Sequence, residues 1–223
     1  MTLEIKHFSK KYKTKPIFLD SNFKAERGEI VVITGESGIG KTTFLEMISG
    51  LVPFQEGIYV YDETVLQQKS DFEMSRFRRD HIGYIAQDFA LLEDYTVLEN
   101  LLVPTFHQKK KKQDDINRAR MLSKQFGFEA ILKSVVKKIS GGQKQRVAIA
   151  RSLMLGPDII LADEPTTNLD KKNFEIIIAL FQELKKDGKY VIIASHDERI
   201  VAIADKIYEI SNFKFESVQK SGF

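Results

Sequence analysis

The chain contains Gly35-Glu36-Ser37-Gly38-Ile39-Gly40-Lys41-Thr42, an octapeptide that fits the phosphate-binding loop pattern G-x-x-x-x-G-K-[ST] at every fixed position. The apolar run 30–33 before it predicts a buried strand, and residues 42–48 after it predict a helix. A strand that enters a glycine-rich turn and opens a helix aims backbone N–H groups and the positive end of the helix dipole at one point. The octapeptide therefore predicts a polyphosphate site, against the alternative of a surface turn before a helix.

Each position of this loop has a role in the prediction. Gly35, Gly38 and Gly40 allow the backbone to turn tightly and to approach phosphate oxygens without a Cβ in the way. Lys41 can place its ammonium between the β- and γ-phosphates, and the Thr42 hydroxyl is positioned to ligate Mg²⁺. The candidate nucleotide-binding residues of the loop are Gly35, Glu36, Ser37, Gly38, Ile39, Gly40, Lys41, Thr42 and Thr43.

Two adjacent carboxylates follow a second apolar run. Residues 159–162 are all apolar, which is typical of a parallel strand covered on both faces. Asp163 and Glu164 then stand at the carboxyl end of that strand, the edge where open α/β sheets bind ligands. We interpret Asp163 as a Mg²⁺ ligand acting through water, and Glu164 as the group that orients or deprotonates an attacking water. The alternative is a strand end that meets a turn and stops at Pro165.

A second glycine-rich turn, Ile139-Ser140-Gly141-Gly142-Gln143, precedes the helix-forming residues 144–153. An anion can dock on the exposed N–H groups of such a turn, with the Ser140 hydroxyl added. The alternative is an ordinary N-cap serine followed by flexible glycines. One chain seldom needs two phosphate cradles for one nucleotide.

In their order along the chain, these motifs resemble those of the nucleotide-binding domain of ATP-binding cassette (ABC) proteins, over about residues 3–218. Residues 139–143 look like that family's signature sequence, with Ile139 where leucine is usual. The resemblance implies an α/β fold, a P-loop NTPase cassette with a RecA-like parallel core and an antiparallel β subdomain. It also implies an α-helical subdomain at about residues 88–146, within a single domain that spans 1–223.

The resemblance implies further site residues. Tyr12 is similar to the aromatic that stacks on adenine, and Gln87 looks like the glutamine that contacts Mg²⁺ and senses the γ-phosphate. Asn168-Leu169-Asp170 looks like the loop that crosses a dimer interface, and His196 looks like the histidine that contacts the γ-phosphate. The predicted catalytic residues are Glu164, His196 and Gln87; the predicted metal ligands are Thr42, Gln87 and Asp163; the nucleotide-binding residues beyond the first loop are Tyr12, Ser140, Gly141, Gly142, Gln143 and Asp170.

The family resemblance implies a mechanism in which two subunits pack head to tail. ATP with Mg²⁺ would lie between the Lys41 loop of one subunit and the Ser140–Gly142 turn of the other, which explains why one chain carries two cradles. Glu164 would serve as the general base, while His196 and Gln87 hold the water and the γ-phosphate in line. Hydrolysis then removes the phosphate that joins the two halves.

Within the family, residues 78–100 and 164–170 are similar to the lipoprotein-release and macrolide or antimicrobial-peptide exporter branch. This similarity predicts an ATP-hydrolysing subunit that powers export of a peptide, lipoprotein or antimicrobial compound through a separate permease. The alternative is a regulatory ATPase that drives a membrane partner without transport, as in cell-division control of peptidoglycan hydrolases. The exporter and the regulatory ATPase share the same nucleotide-binding and hydrolysis motifs, so the sequence does not decide between the two functions.

The composition limits which binding partners and which cellular location we expect. The 223 residues carry a net charge of only +3, so no nucleic-acid partner is predicted. Cysteine is absent, which excludes disulfides and thiolate metal sites. The chain shows no apolar stretch long enough to span a bilayer and no signal-peptide core at its start. We therefore expect a cytoplasmic protein, peripheral on the inner face of the membrane through its permease.

Three other features have competing interpretations. The run Lys109-Lys110-Lys111-Lys112 is best read as a solvated loop before a helix, rather than as a site for anionic lipid. Ser195-His196-Asp197 invites comparison with a protease relay, but consecutive residues of an extended segment point to opposite faces. The family places its permease groove near a set of apolar residues that could equally fill the core: Phe72, Phe77, Phe89, Leu91, Leu92 and Tyr95.

Overall fold

The computed structural model describes residues 1–66, 69–107, 112–167 and 169–218. Its strands are β1 (Thr2–Tyr12), β2 (Lys15–Glu26), β3 (Ile30–Thr34), β4 (Glu56–Tyr61), β5 (Thr64–Val65), β6 (Ile82–Ile85), β7 (Ile159–Asp163), β8 (Tyr190–Ala194), β9 (Lys206–Ser211) and β10 (Lys214–Val218). Its α-helices are α1 (Lys41–Ile48), α2 (Asp71–His81), α3 (Val97–Leu102), α4 (Lys112–Gln125), α5 (Gly141–Ser152), α6 (Lys171–Lys186) and α7 (Glu198–Val201).

A six-stranded sheet with the order β10-β9-β3-β8-β7-β6 forms the centre of the fold. Strands β9, β3, β8, β7 and β6 are mutually parallel, and β10 pairs antiparallel with β9 at one edge. Strands β7 and β8 are buried along their whole length, because helices cover both faces. The predicted parallel core is confirmed, and the carboxyl ends of β3, β6, β7 and β8 lie side by side.

A four-stranded antiparallel sheet, β2-β1-β4-β5, covers α1. The ring of Phe44 on α1 lies 5.3 Å from Phe8 and 4.9 Å from Phe23 of this sheet, and 4.2 Å from Phe215 of β10, measured between centroids. These tilted and edge-on pairs are favourable aromatic geometries. They join both sheets to the helix that begins at Lys41.

The described part of the interval 88–146 holds α3, α4, the start of α5 and three 3₁₀ turns. The predicted helical stop at Gly127 follows α4, and its φ of 66° is one that glycine adopts at little cost. Asn100, fully buried, organises this region: its Nδ2 donates to the carbonyls of Leu92 and Thr96, and its Oδ1 accepts from the Leu92 N–H. Of the lysine run, residues 109–111 lie outside the described residues, and Lys112 begins α4.

Burial distinguishes the two alternatives, permease groove and core, for three of the apolar residues named above. Phe77 is only 7% exposed and packs against the rings of Tyr61 and His81, so it belongs to the core. Phe72 is 72% exposed and Tyr95 is 51% exposed, so both remain available at the surface. Phe72 and Phe77 differ in exposure because they lie on different faces of α2, and only Phe77 faces the sheet.

Phe44→Ala tests the aromatic cluster. Because Phe44 is fully buried, truncation should lower the free energy of unfolding by about 3–5 kcal/mol. Phe72→Ala, at an exposed position, is the matched control and should change it by less than about 0.5 kcal/mol. Urea unfolding followed by circular dichroism gives both values, and equal losses would contradict the packing described above.

Candidate nucleotide-binding site

A cleft of about 510 Å³ lies at the carboxyl edge of the parallel sheet. It collects loops that follow β3, β6, β7 and β8, so residues distant in sequence meet there. Its lining residues are Gly35, Glu36, Ser37, Gly38, Gly40, Lys41, Thr42, Thr43, Gln87, Asp163, Glu164, Thr167 and His196. Except for Thr167, all are predicted site residues, and from the first loop only Ile39 is missing.

The glycine-rich loop has the backbone geometry that its sequence predicts. Gly40 has a φ of 122°, and a Cβ there would lie 2.7 Å from the Ile17 side chain. A larger residue would therefore be both strained and obstructed. At Gly38, with a φ of 77°, a Cβ would meet no atom within 4 Å, so this part of the loop opens to the cleft.

Lys41, the first residue of α1, folds back over the loop. Its Nζ donates to the carbonyl oxygens of Gly35, at 2.8 Å, and Glu36, at 3.1 Å. The same ammonium is 4.0 Å from Oε1 of Glu164. The loop thus holds a cation at the start of a helix dipole, which suits an anionic ligand.

Thr42 and Asp163 form the polar contact at the base of the cleft. The Thr42 hydroxyl donates to Oδ2 of Asp163 at 2.7 Å, and Asp163 is only 4% exposed. Burial raises the pKa of the Asp163 carboxyl, and the hydrogen bond from Thr42 offsets this only in part. The pair is one carboxylate and one hydroxyl, hard oxygen ligands of the kind Mg²⁺ prefers.

The described residues contain no cluster of three or more His, Cys, Asp or Glu side chains that could hold a metal ion. A site built from Thr42, Asp163 and the amide of Gln87 would therefore leave most ligand positions to waters and substrate phosphates. This is the usual arrangement for Mg²⁺ in phosphoryl-transfer sites, so the residues fit the predicted metal.

Glu164 is held on strained backbone. Its φ of 46° lies in the left-handed region, which costs a non-glycine residue about 1–3 kcal/mol. The Glu164 N–H donates to the carbonyl of Ala194 at 2.9 Å, which fixes the backbone against β8. Its Oε1 lies 2.8 Å from Nδ1 of His196, and its Oε2 accepts from the Ser195 hydroxyl at 3.3 Å. The carboxylate is thereby held at the cleft.

Ser195, His196 and Asp197 do not form a relay. Ser195 is fully buried, and its Oγ accepts from the Asp197 N–H at 3.2 Å while it donates to Glu164. His196 contacts Glu164 through Nδ1. Ser195 and His196 both contact the Glu164 carboxylate, and Asp197 contacts Ser195 only through its backbone N–H.

The second glycine-rich turn does not line the cleft. Ser140 is the N-cap of α5: its Oγ accepts from the Gln143 N–H at 3.3 Å, and Oε1 of Gln143 accepts from the Ser140 N–H at 2.9 Å. Within one chain the turn thus acts as a capping box. Gly142 approaches α6 closely, because a Cβ there would lie 2.6 Å from the Asn173 Nδ2.

Asp170 and Tyr12 also lie outside the cleft lining. Asp170 caps α6, with Oδ1 accepting from the Asn173 N–H at 2.8 Å, and its Oδ2 accepts from Nδ2 of the same asparagine. Asp170 and the second turn therefore meet through Asn173 in a second cluster. Tyr12 is 47% exposed at the end of β1, and the Lys10 Nζ lies 4.8 Å from its ring centroid. Asn168 lies outside the described residues.

The sequence profile described as "ABC transporter" matches residues 18–167. The chain belongs to the ABC transporter family. It is 38% identical over 228 residues to the lipoprotein-releasing system ATP-binding protein LolD of Francisella tularensis, with 99% of this chain and 98% of that protein covered. It is 38% identical over 196 residues to the macrolide export ATP-binding/permease protein MacB of a Shewanella species, which covers 88% of this chain but only 30% of that protein.

Solved structures of ABC cassettes share the fold. The dimeric structure of MJ0796, a bacterial ABC transporter cassette, has a TM-score of 0.90 and 33% identity, with 100% of both chains covered. A second dimeric structure of MJ0796, in a post-hydrolysis state bound to ADP and Pi, gives the same values. The predicted family, its lipoprotein-release and macrolide-export relatives and the α/β cassette fold are therefore confirmed.

Sequence reasoning missed two residues at the cassette's cleft. Thr167 lines the cleft, and its N–H donates to the carbonyl of Glu164 at 3.3 Å. The Ser195 hydroxyl donates a hydrogen bond to Oε2 of Glu164. The signal for Ser195 was its place directly after β8, since side chains that follow neighbouring parallel strands meet at one edge.

Asp163→Asn should raise the melting temperature of the nucleotide-free protein at about pH 7 and lose this advantage at about pH 4. A carboxyl whose pKa folding raises destabilises the fold while it is charged, and this cost disappears as the pH falls through the folded pKa. Scanning calorimetry at both pH values measures the effect. Asp114→Asn, at an exposed position on α4, is the control. A lower melting temperature for Asp163→Asn at neutral pH would contradict the burial argument.

Proposed function

We propose that this chain is the ATP-binding and ATP-hydrolysing subunit of a membrane transporter that exports a peptide, lipoprotein or antimicrobial compound through a separate permease. The observation that carries this proposal is the single cleft where the Lys41 loop, the Thr42–Asp163 pair and the Glu164–His196 pair meet. The names of the relatives, a lipoprotein-releasing ATP-binding protein and a macrolide exporter, favour export over the regulatory alternative.

In the proposed reaction, the loop N–H groups and Lys41 bind the β- and γ-phosphates of ATP. Thr42, Asp163 and Gln87 would hold Mg²⁺, which when bound neutralises developing phosphate charge. Glu164 takes a proton from the attacking water, and such a base is typically worth about 10²–10⁴-fold in rate. His196 and Gln87 keep the water and the γ-phosphate in line. The contact between His196 and Oε1 of Glu164 supports this assignment, because it aims the carboxylate into the cleft.

The proposal places ATP between two copies of the chain. The Ser140–Gln143 turn and Asp170 lie in a second cluster outside the chain's own cleft, so a partner copy must supply them to complete a site. Tyr12 would stack on the adenine. The MJ0796 cassette is a dimer, and one of its structures holds ADP and Pi, which supports both the pairing and the hydrolysis proposed here.

We further propose that residues 1–223 form one nucleotide-binding domain, peripheral on the inner face of the membrane, with no nucleic-acid partner. Throughout the described segments, each helix is too short or too polar to cross a membrane. Attachment would then depend on a permease. The side chains of Phe72, Leu92 and Tyr95 are exposed, and we propose that such apolar side chains contact the permease.

Glu164→Gln tests the role of the carboxylate. The amide keeps the shape of the side chain but is not a base, so ATP should still bind while the hydrolysis rate falls by about 10²–10⁴-fold. Because the uncleaved nucleotide stays between the subunits, the variant should elute as a dimer from a sizing column when ATP and Mg²⁺ are present. A monomeric elution profile with ATP bound would count against the two-copy site.

Mixing two inactive variants tests whether the site forms between copies. Lys41→Ala and Ser140→Arg should each abolish hydrolysis when tested alone, since every site then lacks a working Lys41 loop or a working Ser140 turn. A mixed dimer restores one site, made of the intact Lys41 loop of one copy and the intact Ser140 turn of the other. Phosphate release should therefore reappear on mixing. A site contained in one chain predicts no recovery.

A further inference from the structure

The loop that follows Gln87 has an unusual backbone. Phe89 and Ala90 are consecutive non-glycine residues with φ values of 65° and 47°, both in the left-handed region. The Phe89 N–H donates to the carbonyl of Ala86 at 3.1 Å, and the Ala90 N–H donates to Oδ1 of Asp88 at 3.2 Å. L-residues avoid this conformation, so contacts elsewhere in the fold must hold it.

Arg151 supplies such contacts from a distant part of the chain. From the last turn of α5, its Nη1 donates to the carbonyl of Ala90 at 2.5 Å and its Nη2 donates to the carbonyl of Phe89 at 2.9 Å. The planar guanidinium matches two adjacent carbonyls with a fixed fork, which a lysine ammonium cannot do. One side chain therefore holds both left-handed residues at once.

The end of α5 is itself fixed against the strand that leads to Gln87. Gly83 of β6 lies so close to this helix that a Cβ would be 2.8 Å from the Ser152 carbonyl oxygen. The opposite end of α5 begins at the N-cap Ser140. The twelve-residue helix α5 thus carries the second glycine-rich turn at its N-terminus. At its C-terminal end, Arg151 binds the loop after Gln87.

We propose that Arg151 is a positioning residue for ATP hydrolysis: it holds the loop after Gln87, so that the Gln87 amide stays in the cleft, and it ties this loop to the helix that carries Ser140. The inference rests on the proposed function, because it assigns Gln87 a part in the reaction. Arg151 does not line the cleft, so it acts through Gln87 rather than on the nucleotide.

A double-mutant cycle in the full chain tests this. Steady-state ATPase assays would compare wild type, Gln87→Ala, Arg151→Ala and the double variant. Arg151→Ala should lower kcat by up to about 10²-fold, the scale of a misplaced catalytic contact, with a much smaller change in KM. In the Gln87→Ala background the same change should cause no further loss, because the group it positions is already absent.

Arg118→Ala is the matched control. Its Nη2 donates to the carbonyl of Leu153 at 3.3 Å, at the same end of α5 but away from the loop. This variant should keep the wild-type kcat. Arg151→Lys should give an intermediate kcat, and it replaces Arg151→Ala in the cycle if the alanine variant does not fold.

The inference is overturned if losses from Arg151 and Gln87 multiply in full, or if Arg118→Ala lowers kcat as much as Arg151→Ala. Either result means that Arg151 only stabilises the helix. If the wild-type protein with ATP and Mg²⁺ releases no phosphate, the proposed function itself fails. The two failures are therefore distinguishable.

Discussion

The parallel register of four strands is the constraint on which the candidate site depends. Ile85 of β6 pairs with Ala162 of β7, and Asp163 of β7 pairs with Ala194 of β8. Ala194 also pairs with Ile33 of β3. Since all four strands run the same way, whatever follows them emerges at one edge of the sheet. Four loops separated by up to about 160 residues in sequence can then line one cleft without any of them being long.

This edge carries features that oppose folding, and the rest of the structure has to offset them. Asp163 is a buried carboxyl, and Glu164, Phe89 and Ala90 have left-handed backbones. Each strained residue costs about 1–3 kcal/mol. The aromatic cluster around Phe44 compensates in part, since each of its ring pairs contributes about 0.5–1.5 kcal/mol beyond burial. Its position matters as much as its energy, because it fixes the helix whose first residue is Lys41.

The sequence predicted those parts of the site that local patterns encode. The glycine-rich loop and Asp163-Glu164 are contiguous motifs next to strong strand signals, so their place in the cleft could be predicted. Ser195 and Arg151 were missed, because their contacts depend on how separate loops pack. Thr167 was missed although it contacts Glu164 within a single loop. Arg151 meets Ala90 across 61 residues of sequence, and no short pattern records such a distance. The sequence left two places open for Phe77, the permease surface and the core, because its burial depends on contacts with Tyr61 and His81.

The second glycine-rich turn stabilises its own helix and still leaves backbone groups free for the ligand contact that we propose. Its capping box uses the N–H groups of Ser140 and Gln143, which stabilises α5 within a single chain. The N–H groups of Gly141 and Gly142, at the first two helical positions, have no partner inside the helix. A Cβ at Gly141 would meet no atom within 4 Å, so this side of the turn is open to an approaching anion. The capping box and the proposed phosphate contact would therefore use different N–H groups of the same turn, so the observed cap of Ser140 is compatible with the proposal.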